Sequence, residues 1–419
     1  MCLPKCVVPT LLVLYCLLLF SVGCRPAAET QAIPNAKTMA ATAAESLYEE
    51  AWQSLQRDFI DDKFNGQDWY RWKTHYRGRL HDEEDAYVAI ATMVSSLNDD
   101  YTRFLPPRDM KEQTLYIDSK LYGVGLQITV RDNQLRVVSA IQGTPAAEQD
   151  FKPGDVITHV NGESMAGLSV EECADKIRGP EGTPVRLSVR REDRLFDVTL
   201  ERAEIKIQSV FSRELPVKDI AYIRLNSFIS ERALDEMKEA LSKVQDKKAL
   251  VLDLRGNYGG LLSNAVEIAD LFLKKGVIVS VKGRRSEYES AYSALPDQVF
   301  DKPMAVLIDG GSASASEILS AALQENGRAA LVGSTTFGKG LVQKITPLEQ
   351  GAGLNITISK YLTPQGHDIN RHGIRPDVSV ALSPKDFELE NDAQLAVAVK
   401  QLSKQVGVSL PAEVSFKFP

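Results

Sequence analysis

The period of apolar positions changes from block to block along this chain. From Glu45 it is helical: Leu47, Trp52, Leu55 and Phe59 recur at helix-like spacing until Asp61-Asp62 and Asn65-Gly66 break the run. Trp69, Trp72 and Tyr76 mark a second helical unit, and Glu83 through Tyr87, Ile90, Met93, Val94 and Leu97 a third. These stripes read as packing faces, with His75 and His81 among solvated charges. From Tyr122 short strand-like runs replace the helices: YGVGLQITV, LRVVSAI, and later VRLSVRR and LFDVTLER, closing near Arg202. After Glu204 strands and helices alternate. IAYIRL (Ile220 to Leu225) is a strand, and Glu231 to Val244 a helix with Leu234, Met237 and Leu241 on one face. ALVLDL (Ala249 to Leu254) is a continuous apolar strand of the kind covered on both faces. The RGNYGG loop then enters a helix striped by Leu262, Val266, Ala269 and Leu273.

Reactive side chains concentrate between Met304 and Gln343. The pattern predicts a buried strand (Ala305 to Ile308), a turn of small residues (Asp309 to Ala313) and a helix from Ser314 to Glu325, stopped by Asn326-Gly327. A second strand (Ala329 to Val332), a glycine-flanked lysine loop and a third strand from Leu341 follow. Polar residues thus sit where strands end and a helix begins, the usual ligand position in open α/β sheets.

A length of 419 residues fits two or three domains, and 44% hydrophobic with 25% charged residues fits real cores. The net charge of −7 gives no support to a nucleic-acid or anionic-membrane partner. Of the cysteines, Cys2, Cys6, Cys16 and Cys24 fall at the N-terminus, leaving Cys173 alone in the body, so no disulfide framework is expected there. Behind Lys5, the apolar run Val7 to Phe20 is short for a membrane span and fits the core of a signal peptide. Gly23-Cys24 resembles a lipoprotein cleavage box, with Ser21 where leucine is usual. Cys24 is a lipidation candidate; simple cleavage and a retained anchor are the alternatives. Export across a membrane follows, with a tether if the lipid or anchor is kept. Residues 25–44 are Ala-rich, lack periodicity and read as a linker.

The chemistry is bounded first by absences. There is no HExxH, paired CxxC or G-x-S-x-G, so zinc peptidases and ordinary α/β hydrolases lose their signatures, and no metal or cofactor is implied. His367 and His372 in TPQGHDINRHGI are the histidines available to a Ser-His site. A Ser-Lys site needs a neutral amine to take the serine proton, hence a lysine that is desolvated or near positive charge. Lys339, in TFGKGLVQ beside Phe337, Leu341 and Val342, has that setting. Gln343, four residues on, falls on the same side of an extended segment and could hold the amine without adding negative charge. Ser314 at a helix start lies near the positive end of the helix dipole, but Ser312 and Ser316 are open alternatives on chemistry alone. Glu317 reads as a helix N-terminal carboxylate and Arg255 as a structural ion-pair residue. Gly333 to Lys339 copies Walker A spacing, yet Gly340 stands where the magnesium-binding hydroxyl should be, and LVQKI reads as strand where a helix is required.

The β unit, through its GTPAAEQDF helix start, the GDVITHVNG hairpin and the late GTPV strand, resembles a PDZ domain. That resemblance implies that Gly123, Val124, Gly125 and Leu126 present backbone N–H groups to a peptide's terminal carboxylate. SASASEI, TFGKGLVQ with its lysine 25 positions after Ser314, and DLRGNYGG resemble the carboxyl-terminal processing peptidases, over roughly residues 45 to 382. The family register implies Ser314 as nucleophile, Lys339 as general base and Gln343 as the residue orienting it. Ala315 N–H and one glycine of Gly259-Gly260 would form the oxyanion hole. Asp309 departs from the asparagine frequent in the family. The implied fold is multidomain α+β: helical domain 45–115, PDZ domain 116–203, crotonase- or Clp-protease-like ββα core 204–384, and an extension 385–419 packed on that core. FNGQDWYRW and LNDDYTRFL resemble the photosynthetic branch, which trims the C-terminal tail of a photosystem II reaction-centre protein; other exported proteins are equally admissible substrates. Arg178, in KIRGPEGT, is a candidate for linking peptide occupancy of the PDZ groove to the core. The rival class is a non-catalytic PDZ scaffold binding C-terminal tails.

Overall fold

The computed structural model describes residues 36–117, 121–141, 143–205, 208–383, 386, 391–411 and 415–418. Cys24 and the signal-like segment lie outside them. Part of the expected linker is helix: Ala36–Asp58 is one continuous helix, and Ala44 is fully buried. The reason is that an alanine-rich stretch has the highest helix propensity and here finds a core to pack on. Helices Trp69–His75 and Glu83–Ser95 start at Asp68 and Asp82, whose carboxylates accept the N–H of Arg71 and Asp85. Together the three bury Leu47, Leu55, Phe59, Trp69, Ile90, Met93 and Leu97 in a cluster that also contains Leu348, Leu354 and Ile356 of the core. The helical unit is therefore fused to the core. Strand Arg103–Leu105 extends the fusion, pairing antiparallel with Gly353–Leu362 so that Arg103 faces Asn355.

Helix Pro107–Ile117, too polar to announce itself by periodicity, leads to the β unit. Its entry and exit strands, Leu121–Gly123 and Ala203–Ile205, pair with each other. Between them lies a six-stranded antiparallel sheet, with helix Val170–Ile177 closed by a Ser169–Glu172 capping box. The Asn161-Gly162 turn forms as expected, at φ 51° and 85°. The expected helix start at Pro145-Ala146-Ala147 is instead a run of turns, with Ala147 and Gln149 N–H reaching back to Thr144 and Ala146 carbonyls.

The core has a six-stranded sheet in the order Val210–Arg213, Ile220–Leu225, Ala249–Asp253, Met304–Ile308, Ala330–Gly333, Val378–Ser379, parallel except for the first pair. One face is covered by helices Ala233–Ser242, Leu262–Asp270 and Ala315–Glu325. Leu273 lies beyond its expected helix yet stays buried. The other face carries the C-terminal helix Ala393–Val406 through Leu395, Val399 and Leu402. A second, antiparallel sheet combines Gly353–Leu362 with Leu341–Pro347, Val277–Gly283, Ser290–Ser293 and Arg103–Leu105. Among the described residues no helix is long and apolar enough to cross a membrane.

Candidate active site

Met304–Ile308 is buried throughout and delivers Asp309 to the carboxyl edge of the parallel sheet. Asp309 Oδ1 accepts the N–H of Gly256 and of Gly311, both at 2.9 Å, closing the turn ahead of the helix. An asparagine oxygen would serve equally, so this departure leaves the turn intact. Three serines follow, and the structure separates them. Ser312 Oγ donates to Leu254 O (2.9 Å) and Ser316 Oγ to Asn257 O (2.8 Å), so both hydroxyls hold the scaffold together. Ser314 is different: its backbone sits at φ 55°, ψ −113°, a conformation costing a non-glycine residue on the order of 1–3 kcal/mol. It directly precedes helix Ala315–Glu325 and is only 7% exposed.

Glu317, fully buried, binds the two halves of the site together. Its Oε2 accepts the N–H of Ser314 (2.8 Å) and of Lys339 (2.9 Å). Its Oε1 accepts Thr336 Oγ1 (2.5 Å) and Gly338 N–H (2.7 Å). The Ser314 turn and the Lys339 loop therefore share one carboxylate. Gly340 permits the loop's close approach to Asn370, whose backbone nitrogen would stand 2.7 Å from any Cβ added there.

Burial holds the Lys339 ammonium below the usual lysine range, and the positive charge of Arg103 adds to it. Its Nζ lies over the Tyr101 ring, 5.0 Å from the centroid. Phe337 is 58% exposed, so of the apolar neighbours named from the sequence it is not the one that shields the amine. Gln343 does not hydrogen-bond to Lys339; its Nε2 is buried without a partner. The period-of-two argument fails locally, because the strand starts at Leu341 and its register shifts between Val342 and Gln343.

Opposite the serine, Gly259 (φ 98°) packs so closely that a Cβ would stand 2.9 Å from both Ala315 N and Ser314 Cβ. Its own N–H is bonded to Asn257 Oδ1 (2.9 Å). The N–H groups of Gly260 and Ala315 donate to no acceptor among the described residues. Tyr361 is buried in the core, and its hydroxyl meets the Ser314 side chain. Burial pushes the phenol up to about 12, while the serine contact opposes that rise.

Other predicted residues separate clearly. His367 Nδ1 pairs with Glu325 at 3.1 Å, at the far end of a helix about 15 Å long, by 1.5 Å per residue. His372 is exposed. Arg255 is structural, pairing with Asp253 (2.6 Å) and Asp392 (2.7 Å). Burial alone would weaken its charge, but the two carboxylates outweigh that and raise it. In the β unit, Gly123, Val124, Gly125 and Leu126 line a cavity of about 160 Å³ with Ile177 and Arg178. Arg178, half-exposed, stands 3.7 Å from Asp175, which also pairs with Arg108.

Fold and site define a class, a PDZ-bearing peptidase core with a serine at a strained helix start. Comparison with known proteins agrees. Residues 219–380 match the model of peptidase family S41, and residues 136–191 that of a PDZ domain. The chain is 36% identical to a carboxyl-terminal-processing protease of Picosynechococcus, over 91% of this chain and 95% of that one. It is 38% identical to the chloroplastic carboxyl-terminal-processing peptidase 2 of Arabidopsis thaliana, over 82% and 70% respectively. A solved photosystem II D1 C-terminal processing protease matches with TM-score 0.56 and 30% identity, over 83% of this chain and 96% of that one. The chain belongs to peptidase family S41, among the carboxyl-terminal-processing serine peptidases. A purely scaffolding PDZ protein is not favoured.

Sequence reading missed Tyr361, the clamp made by Glu317, and the approach of Tyr101 and Arg103. Of these, Glu317 had a signal, the S-x-x-E spacing of a capping box starting at Ser314.

Proposed function

We propose that Ser314 attacks the scissile carbonyl and that Lys339, as the neutral amine, takes its proton. The observation that carries this reading is the shared Glu317 carboxylate, which fixes the backbone of both residues beside one oxygen. Desolvation of Lys339 supplies the neutral base, and Tyr361 gives the serine hydroxyl a partner. We read Gln343 as the residue that orients the lysine once substrate closes the site, a role its buried, unpartnered Nε2 leaves it free to take. For the oxyanion we assign Ala315 N–H and Gly260 N–H, because Gly259 N–H is already bonded and Gly259 serves by its lack of a side chain.

The PDZ cavity would take a substrate's C-terminal tail, its carboxylate on the N–H groups of Val124, Gly125 and Leu126 and its last side chains against Ile128 and Ile177. Arg178, on the rim, would report occupancy of that cavity to the core. The substrate class is an exported protein with a flexible apolar C-terminus, and a photosystem II reaction-centre precursor is one instance to test. Export through the signal segment, with Cys24 as the point of lipid attachment, completes the reading.

The test uses the chain from residue 25 onward and an unstructured protein with an apolar C-terminus. Wild type is expected to cut it, and folded Ser314→Ala and Lys339→Ala variants to lose at least about a thousandfold in rate. Cutting by Lys339→Ala at a comparable rate would refute the dyad. Arg178→Ala should abolish stimulation by added tail peptide; unchanged stimulation would remove Arg178 from the scheme.

A further inference from the structure

The assignment of Lys339 as base leaves open what surrounds its amine, and the structure answers from an unexpected part of the chain. Residues Asp99 to Leu105 belong to the N-terminal unit, yet they are bolted to the core. Thr102 Oγ1 accepts the N–H of Thr357 (3.0 Å) and donates to Asp99 (2.6 Å), and Arg103 is in register with Asn355. This fixes Tyr101 between those anchors with its ring 5.0 Å from Lys339 Nζ. Arg103 follows two residues on, exposed, with its guanidinium donating to Gln113 Oε1 (3.0 Å), and its positive charge bears on the amine. The other charged groups facing this corner are Glu317, spent on four donors, Asp99 and Asp100 beside Tyr101, and Arg371 and His372 on the loop against Gly338.

We propose that the N-terminal segment supplies two positioning residues for Lys339: Tyr101, whose ring face receives the ammonium, and Arg103, whose charge opposes it. The proposal rests on the Ser314–Lys339 reading. The two neighbours act in opposite directions. Arg103 favours the neutral amine at rest, which the base must be before it can act. Tyr101 stabilises the cation that forms when the serine proton arrives, through the negative face of its ring. The N-terminal helical unit is then part of the catalytic apparatus.

Opposite signs make the proposal testable. The acid limb of kcat/KM against pH should move to higher pH in Arg103→Gln, with at least about threefold loss on that limb and an unchanged alkaline plateau. Arg103→Lys should restore it. Raising salt should move the wild-type limb the same way, since Arg103 is exposed, and should move that of Arg103→Gln less. In Tyr101→Leu the limb should move to lower pH while the plateau falls about two- to tenfold; Tyr101→Phe, which keeps the ring, should match wild type. In parallel, the pH dependence of trace labelling of Lys339 by an amine-reactive reagent, read by peptide mass spectrometry, follows its protonation without any turnover. Limbs and labelling curves that stay put, or that move the same way in both variants, overturn the proposal. If the labelling curves move as expected but Lys339→Ala still cuts, the dyad falls while the positioning of the amine stands. If Lys339→Ala is dead but the curves do not move, the positioning falls and the dyad stands.

Discussion

Replacing Glu317 by glutamine tests whether the site is held together through one carboxylate. The amide has one acceptor and one donor end. Its oxygen must stay at the Oε2 position, where Ser314 N–H and Lys339 N–H arrive at 2.8 and 2.9 Å. The NH₂ then replaces Oε1. Thr336 Oγ1 can turn to accept from it, but Gly338 N–H, now 2.7 Å from a donor, cannot. One hydrogen bond to a charged acceptor is lost, at about 1.5–3 kcal/mol, and one buried N–H is left unsatisfied, at about 1–3 kcal/mol. The sum, roughly 3–6 kcal/mol, is a large share of a domain's net stability. At about 2–4 °C per kcal/mol for a core of this size, the melting transition should fall by roughly 6–24 °C. The loop that carries Lys339 is what loosens, so kcat should fall with it. Differential scanning calorimetry and a cleavage assay well below the melting temperature separate the two effects. A variant that melts within about 2 °C of wild type and cuts at the wild-type rate would refute the clamp. Lost cutting with an unchanged melt would instead give Glu317 a chemical role.

Lys339→Met should melt higher than wild type at neutral pH, because the folded state disfavours the ammonium. Between the lowered native value and the ordinary 10.5 the unfolded chain binds more protons, so this group's contribution improves as pH rises. The gap should narrow toward that upper limit, and a constant gap across thermal melts at several pH values would remove desolvation as the cause. Asp392→Asn leaves Arg255 one carboxylate, Asp253, beside the Gln394 oxygen, and breaks a bidentate contact of 2.9 and 2.7 Å. Breaking a buried pair costs about 3–5 kcal/mol, and the remaining partner sets the lower end here. Limited proteolysis should then release the C-terminal helix at a lower temperature than in wild type, and equal resistance would speak against the tie.

What the sequence could show depended on how local the physics was. Strand Ala249–Asp253, helix Ala315–Glu325 and the Asn161-Gly162 turn are dictated by residues within one window, and they form where the pattern puts them. The catalytic candidates were legible because serines at a helix start and a lysine between glycines lie in one strand–helix–strand unit, and the family resemblance singled out Ser314 from Ser312 and Ser316. The linker reading failed for a different reason: Ala36 to Ala44 show no periodicity, and only the surface they meet decides that they continue a helix. Gln343 was placed by a repeat that a register shift cancels one residue earlier. Tyr101, Arg103 and Tyr361 are the instructive misses. Tyr361 belongs to strand Gly353–Leu362, Arg103 pairs with it, and Tyr101 is carried there by Thr102, which accepts Thr357 N–H; no local pattern encodes these separations. That strand borders the lysine strand on one side and accepts the N-terminal segment on the other. If Lys339 is the base, the sheet that fuses the N-terminal unit to the core also holds Tyr101 against its amine, so loosening that fusion should change cleavage before it unfolds the chain.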